Sequence, residues 1–245
     1  MNAQTNAPVP AATRQDGWRA VSRGLICGYV DSYTLLTFGV YTSFMSGNTI
    51  ATGMNGGQAK LGAASHALLP IPFFVLGAFI GFLIQKDKSK QQNSLVSMCV
   101  AALLFAGVAA AIGAASTSVC VMILSCAMGM MNTTLSQVGG QSVSLGFVTG
   151  DLKSIGEQIA NLINRTPVAL SQGLWDTHWR RLTTLGSIWT CFLIGAIAGA
   201  AMAVRVHVWT LLLPAFFLIV LVLTERTTET PKLDSHTVLG GPVEN

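Results

Sequence analysis

The sequence predicts an all-α membrane protein in which six transmembrane helices form an inverted 3+3 repeat with two short re-entrant or broken segments. Three observations support this fold class. The 245-residue chain is 51% hydrophobic and only 10% charged, whereas soluble domains carry about 25% charged residues. Six apolar segments are each long enough to cross a bilayer. Two stretches of the chain also carry the same motif in the same order.

The composition excludes several classes of protein. So few charged residues, with a net charge of only +4, do not fit a soluble globular enzyme, a disordered protein or a basic nucleic-acid binder. The five cysteines lie in apolar stretches without a C-x-x-C pair or a nearby histidine, so we expect packing residues and neither a metal site nor a cofactor. No H-E-x-x-H, G-x-S-x-G or phosphate-loop motif occurs, and no enzymatic activity is predicted.

The six predicted helices are runs of about 20 mainly apolar residues. They cover residues 18–37, 62–84, 95–113, 117–135, 182–204 and 208–223. The stretch between Lys90 and Asp151 contains no charged residue, but it is too long for one span, and a break at 113–118 divides it into two helices. The predicted organisation is a polar tail (1–17), two three-helix repeats (18–113 and 114–224) and a second polar tail (225–245). The first tail has no apolar core, so no cleaved signal peptide is expected.

The distribution of positive charges predicts the orientation. With the N-terminus in the cytoplasm, twelve lysines and arginines fall in the inner segments and only Lys60 and Arg205 in the outer ones. Cytoplasmic loops carry such an excess, and an even number of helices then places both termini inside. Four tryptophans lie near predicted helix ends, where the membrane interface favours them: Trp18, Trp175, Trp179 and Trp209.

An internal repeat carries the most information. Residues 28–49 read GYVDSYTLLTFGVYTSFMSGNT, and residues 129–152 read GMMNTTLSQVGGQSVSLGFVTGDL. Each copy holds an odd number of helices, so the second enters the membrane from the opposite side and the repeat is inverted. The alignment pairs Gly28 with Gly129, Asp31 with Asn132, Phe44 with Phe147, and Ser46-Gly47-Asn48 with Thr149-Gly150-Asp151.

Small residues four positions apart recur in both copies and permit close helix packing. The pair Gly24 and Gly28 corresponds to Ser125 and Gly129, and the pair Gly77 and Gly81 corresponds to Gly195 and Gly199.

The segments D-S-Y-T-L-L-T-F-G…F-M-S-G-N-T and G-M-x-N…V-T-G-D resemble the YoaK-like family of small bacterial inner-membrane proteins. The likeness extends from about Trp18 to Leu223. Ser46 stands where that family usually has threonine, so the hydroxyl group is kept. The resemblance implies a six-helix, multi-pass protein of the bacterial inner (plasma) membrane. The family is a domain of unknown function, so the resemblance supplies no substrate.

Asp31 is the first candidate binding residue. It follows Trp18 by 13 residues, about 20 Å along a helix, and so lies in the hydrocarbon region, where an ionised carboxylate costs at least ~2.5 kcal/mol. We expect it to face the bundle interior and to bind a proton, a cation or a cationic group of a substrate. The structural alternative is a carboxyl group that ties helices together through hydrogen bonds.

The Gly-Asn and Gly-Asp segments are the second candidate. Gly47 and Gly150 would permit sharp turns, and Asn48 and Asp151 would then cap new helices. Short half-helices entering from opposite faces would also present free amides to a substrate. Helix capping alone is the structural alternative, and the two interpretations are compatible.

The acid and the amide exchange places between the two copies. Asp31 and Asn48 in the first correspond to Asn132 and Asp151 in the second. If a pseudo-two-fold axis brings these positions together, two carboxylates and two amides meet at the centre of the protein. Such a set suits proton or small-cation coupling, because neighbouring acids titrate apart.

Residues 151–165 form a predicted amphipathic helix. It would either line a vestibule with its polar face or lie flat on the cytoplasmic surface of the membrane. His178, next to Trp175 and Trp179, is expected to take part in anchoring this loop at the interface, because no nucleophile or second metal ligand accompanies it.

These features predict a secondary transporter of a small solute, with a proton or a cation as the candidate coupling ion. Its binding residues would be Asp31, Ser46, Gly47, Asn48, Asn132, Thr149, Gly150 and Asp151. The alternatives are a passive channel and a non-transporting scaffold that binds a protein partner or lipid. A homodimer is plausible for a protein of this size, and the lipid bilayer is its expected environment.

Overall fold

The computed structural model describes residues 10–85, 90–134, 137–138, 141–142 and 148–227. The described residues do not include parts of the predicted tails, namely 1–9 and 228–245. They also do not include Phe147 of the repeat. In chain order the helices are α1 (Ala11–Phe38), α2 (Met45–Gly57), α3 (Leu61–Leu68), α4 (Pro70–Ile84), α5 (Lys90–Ile112), α6 (Thr117–Thr133), α7 (Val148–Asn164), α8 (His178–Val206) and α9 (Leu212–Thr227). A 3-10 turn, His207–Leu211, joins α8 to α9, and Gln137–Val138 pairs with Gln141–Ser142 in a short antiparallel bridge.

The predicted helical class is confirmed for the described residues, apart from this short bridge. Each of the six predicted helices overlaps an observed one, and α2 and α7 begin at the two predicted re-entrant segments. Three helical stretches are long and apolar enough to cross a membrane, namely Leu61–Ile84, Gln92–Ile112 and His178–Thr224, and Thr117–Thr133 is a shorter apolar helix. The third stretch contains two helices, because His207, with a φ of 49°, interrupts it.

The first helix begins earlier than predicted. It starts at Ala11, so residues 11–17, which were predicted to belong to a polar tail, are helical. Ala11 and Ala12 are strong helix formers. The carboxylate of Asp16 also lies 3.3 Å from the guanidinium of Arg19, one turn further along the helix.

Helices α1 and α8 pack in direct backbone contact. A Cβ atom on Gly28 would overlap the carbonyl oxygen of Phe192, and one on Gly195 would overlap that of Leu25. Gly24 lies against Ile188, one turn before the contact between Gly28 and Phe192. Because the residue numbers at successive contacts increase along both helices, the two helices run parallel.

Helices α4 and α6 pack in a matching way. A Cβ atom on Gly129 would overlap the carbonyl oxygen of Phe74, and one on Gly77 would overlap that of Cys126. Gly81, one turn after Gly77, lies against Met130, one turn after Cys126, and against Thr133 beyond it, so α4 and α6 are also parallel. The structure therefore places at these two interfaces all seven glycines predicted for packing: Gly24, Gly28, Gly77, Gly81, Gly129, Gly195 and Gly199.

The apolar side chains divide between a core and an outer face. Leu104, Leu124 and Leu218 belong to one fully buried cluster that joins α5, α6 and α9. Large apolar residues on α4, α8 and α9 are instead exposed: Val75, Phe79, Phe82, Leu83, Ile194, Ile197 and Phe216. Such extensive apolar exposure is rare in soluble monomers and is what a lipid-facing surface requires.

Replacing Gly28 or Gly129 by alanine is expected to lower the free energy of unfolding by about 3 kcal/mol. The added Cβ would overlap backbone, which a side-chain rotation cannot relieve. Gly186→Ala on α8 is the matched control, because nothing lies within 4 Å of its added Cβ and alanine favours a helix by about 1 kcal/mol. Unfolding of the purified variants in detergent measures the difference, and an equal loss in all three would contradict the backbone contact.

Candidate functional site

Asp31 is buried in the C-terminal half of α1, with 3% of its surface exposed. Its Oδ1 accepts hydrogen bonds from the backbone amides of Thr42 (2.8 Å) and Ser43 (2.7 Å) and from the Thr42 hydroxyl group (3.1 Å). Its Oδ2 accepts one from the Ser43 hydroxyl group at 2.5 Å. Two consecutive loop residues therefore supply four donors to one carboxylate.

The loop that carries these donors turns back along α1. Gly39, with a φ of 73°, ends the helix and donates its amide to the carbonyl group of Leu35. Asp31 lies seven residues before the last residue of α1, about 10 Å along the helix axis. Since Thr42 and Ser43 contact Asp31, the loop returns by about this distance before α2 begins. Val40, Thr42 and Ser43 are buried, so non-helical backbone passes through the protein interior.

Asn48 holds the same loop from the other side. Its Oδ1 accepts a hydrogen bond from the Tyr41 amide at 3.0 Å, and its Nδ2 donates one to the Tyr41 carbonyl oxygen at 2.7 Å. Asp31 on α1 and Asn48 on α2 thus bind three consecutive residues, 41–43. We call this arrangement the Asp31–Asn48 clamp.

Asn48 does not cap α2 as predicted. Helix α2 begins at Met45, after Phe44, and α7 begins at Val148. Asn48 and Asp151 therefore lie inside their helices, each three residues after the first position. The side-chain amide of Asn48 is not available to the first turn, because it pairs with the backbone of Tyr41.

Gly47 is required for side-chain packing and not for a turn. A Cβ atom at this position would lie 2.6 Å from the Phe44 ring and 2.9 Å from the Tyr41 ring. These two rings meet edge to face, with centroids 5.2 Å apart. Ser46 precedes Gly47 in the first turn of α2 and is half-buried.

A cavity of about 390 Å³ lies beside the clamp. Its walls come from α1, the loop, the first turn of α7 and α8. Asp31 and Thr149, predicted as site residues in different copies of the repeat, line it together. The full set of lining residues is Gly28, Asp31, Ser32, Leu35, Tyr41, Phe44, Thr149, Phe192 and Ala196.

The other predicted site residues do not line this cavity. Asn132, half-buried on α6, donates its Nδ2 to the Met128 carbonyl oxygen at 3.0 Å. Asp151 is buried in the first turn of α7, whereas Gly150 beside it is exposed. All the hydrogen bonds described above for the Asp31 carboxylate come from Thr42 and Ser43, and the predicted centre of two carboxylates and two amides stays a prediction.

Several lining residues were missed by the sequence analysis. Tyr41 and Phe44 belong to the first motif, and the Thr-Ser pair between them could have suggested donors for a nearby carboxylate. Phe192 and Ala196 flank Gly195 of the second small-residue pair. These apolar residues have no periodicity that separates a cavity wall from a lipid-facing surface.

The loop between α7 and α8 is held by buried polar contacts. His178 contacts Gln158 Oε1 at 2.7 Å through Nδ1 and the Thr166 carbonyl oxygen at 2.9 Å through Nε2. Asp176 and Arg181, both buried, form a bidentate ion pair at 2.9 and 2.7 Å. His178 therefore ties α7 to α8, a specific structural role beyond the predicted part in anchoring at the interface.

The electrostatic environment of Asp176 favours its charged form. Burial by itself raises the pKa of this carboxyl group. Hydrogen bonds from Arg181 and from the Gln172 amide, together with the positive charge of Arg181, outweigh burial and leave the pKa below its ordinary value of 3.8. Asp176 is therefore ionised at neutral pH.

The chain belongs to the family described as "Protein of unknown function (DUF1275)", whose model matches residues 20–224. The resemblance to YoaK-like proteins is consistent with this assignment, since those proteins fall in the same family. No curated protein and no solved structure has significant similarity to the chain. The family carries no assigned activity, so the geometry of the site is the basis for a functional argument.

Asp31→Asn is expected to lower the free energy of unfolding by about 3 kcal/mol, because an amide oxygen cannot accept four hydrogen bonds and its NH₂ group would face donors. Amide hydrogen exchange at Thr42 and Ser43 should become faster. Glu157→Gln is the matched control, since Glu157 is exposed on α7 and should change stability by less than about 0.5 kcal/mol. Unchanged exchange at residues 42 and 43 would disprove the clamp.

Asp176→Asn is expected to lower the free energy of unfolding by about 3 kcal/mol at neutral pH, because it leaves the buried Arg181 without its ion-pair partner. The folded-state pKa of Asp176 is lowered, so its contribution is complete above the unfolded-state pKa near 3.8. It is lost as the pH falls through the folded-state value.

Melting temperatures of the wild type and the Asp176→Asn variant measured from pH 7 to pH 3 test this dependence. The difference between them should be constant down to about pH 5 and should shrink below about pH 4. A difference that does not depend on pH would contradict the assignment.

Proposed function

We propose that this protein is a secondary transporter that carries a small solute across the bacterial inner membrane. The observation that carries the proposal is the cavity of about 390 Å³ beside Asp31. Its volume falls within the range of small-molecule sites, about 300–1,000 Å³. Residues from both copies of the repeat line it, and transporters with inverted repeats bind substrate where the repeats meet.

The helix packing supports a six-span inverted repeat. In such a chain the first and fifth spans run in the same direction, as do the second and fourth. The parallel pairs α1 with α8 and α4 with α6 fit this order. The contact of Gly28 with Phe192 corresponds to that of Gly129 with Phe74, which is the relation that a pseudo-two-fold axis requires.

The short helices support a transporter with broken spans. Helix α2 has 13 residues and is about 20 Å long, too short for a hydrocarbon core of about 30 Å. Tyr41 and Phe44, just before α2, and Thr149, in the first turn of α7, line the same cavity. Two helix N-termini therefore lie beside the cavity with their partial positive charge, an arrangement that fits transporters with discontinuous helices.

Asp31 would couple a proton to movement of the loop. As a carboxylate it accepts hydrogen bonds from Thr42 and Ser43. Protonation would turn Oδ2, which accepts a hydrogen bond from the Ser43 hydroxyl group, into a donor. It would also remove the negative charge that holds the loop. A cation near Oδ2 would act in the same direction. The loop and α2 would then rearrange as the cavity opens to one side or the other.

The positions of several charged residues fit cytoplasmic termini. Lys60, after α2, and Arg205, near the end of α8, are exposed and belong to the side with few charges. Arg14, Lys153 and Arg165 are exposed on segments assigned to the cytoplasmic side. The bias follows the positive-inside rule.

Ala196→Leu, which fills the cavity, is expected to abolish binding and to slow solute uptake at least about tenfold. A thermal-shift screen of small solutes identifies a ligand, because a ligand at 100 times its Kd stabilises by about 2.7 kcal/mol. Uptake of that ligand is then measured in proteoliposomes with and without a pH gradient. Ala198→Leu is the matched control, since Ala198 is exposed two positions further along α8.

The outcomes separate the candidate functions. Saturable uptake that responds to the pH gradient and is lost only in Ala196→Leu supports a coupled transporter. Flux that neither saturates nor responds to pH would favour a passive channel. A stable Ala196→Leu variant and a wild type that bind and move no solute in the panel would favour a scaffold.

A further inference from the structure

A second and larger cavity lies where α7 ends and α8 begins. It has a volume of about 960 Å³ and is bounded by the end of α7, the connecting loop and the first turn of α8. Arg165 and Arg180 line it together with the apolar side chains of Leu162, Leu174 and Trp179. None of these residues lines the cavity beside Asp31.

The walls of this cavity are fixed by buried contacts. The bidentate pair of Asp176 and Arg181 closes the end of the loop, and Arg181 also donates to the Ala169 carbonyl oxygen at 3.0 Å. The Gln172 amide donates to Asp176 at 3.1 Å. His178 holds the other side through Gln158 and Thr166. A site built in this way is formed before a ligand arrives.

The cavity has a net positive charge. The guanidinium groups of Arg165 and Arg180 contact no carboxylate in the described part of the chain. Asp176, the acidic residue in the lining, is neutralised by Arg181. Two guanidinium groups that line one cavity are suited to binding a phosphate group.

Apolar side chains surround the same opening. Leu174 is 69% exposed, Trp179 63% and the neighbouring Leu170 84%. Leu152, Ile159 and Ile163 form one apolar face of α7, because they fall within about 40° of one another at 100° per residue. This face adjoins the cavity, since Leu162, next to Ile163, lines it. All three side chains are exposed, while Asp151, Ile155 and Gln158 face the protein. The face therefore has no protein partner among the described residues.

We propose that this cavity binds the headgroup of an anionic phospholipid from the leaflet that this end of α8 faces. Arg165 and Arg180 contact the phosphate group, and the acyl chains lie along Leu174, Trp179 and the apolar face of α7. Charge complementarity selects an anionic headgroup, and the exposed apolar surface distinguishes a lipid from a soluble anion. The inference does not depend on transport, since the two cavities share no residue.

The test uses the full-length protein in a neutral detergent, titrated with phosphatidylglycerol, with phosphatidylcholine or with inorganic phosphate at constant ionic strength. The variant Arg165→Gln/Arg180→Gln removes both guanidinium groups. Lys60→Gln/Arg205→Gln is the matched control, because it removes two exposed positive charges outside the lining of this cavity. Native mass spectrometry counts bound lipid, and thermal unfolding measures its effect.

Phosphatidylglycerol should raise the Tm of the wild type and of the control variant, while phosphatidylcholine and phosphate should not. Its affinity for Arg165→Gln/Arg180→Gln should fall at least about tenfold, because each contact between a guanidinium group and phosphate is a charge-assisted hydrogen bond. Equal binding by both double variants would overturn the proposal. An equal effect of phosphate alone, lost in Arg165→Gln/Arg180→Gln, would also overturn it, because the site would then serve a soluble anion.

Discussion

The backbone contact between α1 and α8 is the constraint on which the rest of the structure depends. At Gly28 the two helices approach so closely that no side chain fits between them. The groups that Gly28 meets belong to Phe192 and Ala196, and these three residues also line the cavity beside Asp31. The contact that fixes the two helices therefore also fixes one wall of the candidate site. In lipid no hydrophobic force drives helices together, so contacts of this kind are stabilised by dispersion and close packing.

Burial of Asp31 is compensated by the chain itself. A carboxylate buried away from water is costly unless it is hydrogen-bonded, and here the four donors of Thr42 and Ser43 replace the lost water. The same bonds bring non-helical backbone into the protein and set the starting point of α2. The carboxylate that lines the cavity is thus also the group that holds the loop, so the position of the loop is linked to the charge of Asp31.

The helices and their glycine contacts could be predicted from the sequence because both depend on periodic or short-range patterns. Runs of apolar residues predicted six helices, each of which overlaps an observed one, and the matched small residues marked the interfaces at Gly28 and Gly129. The start of α2 could not be predicted in this way, because the pairing of Asn48 with the backbone of Tyr41 has no periodic signature. The ring contacts above Gly47 and the cavity near Arg165 involve residues close in sequence, but they depend on how non-helical segments turn, which leaves no periodic pattern either.

The exchange of acid and amide between the two copies makes the corresponding positions on α1 and α6 chemically unequal. A carboxylate offers about four acceptor sites, whereas an amide oxygen offers two. Asp31 uses four donors from its loop, and Asn132, its counterpart, donates its Nδ2 to its own helix at Met128. An amide at this position cannot form the same set of bonds and carries no charge that a proton could remove. The first half of a pseudo-symmetric framework would then carry its carboxylate on the long helix α1, beside the loop, and the second half would carry its own, Asp151, on the short helix α7.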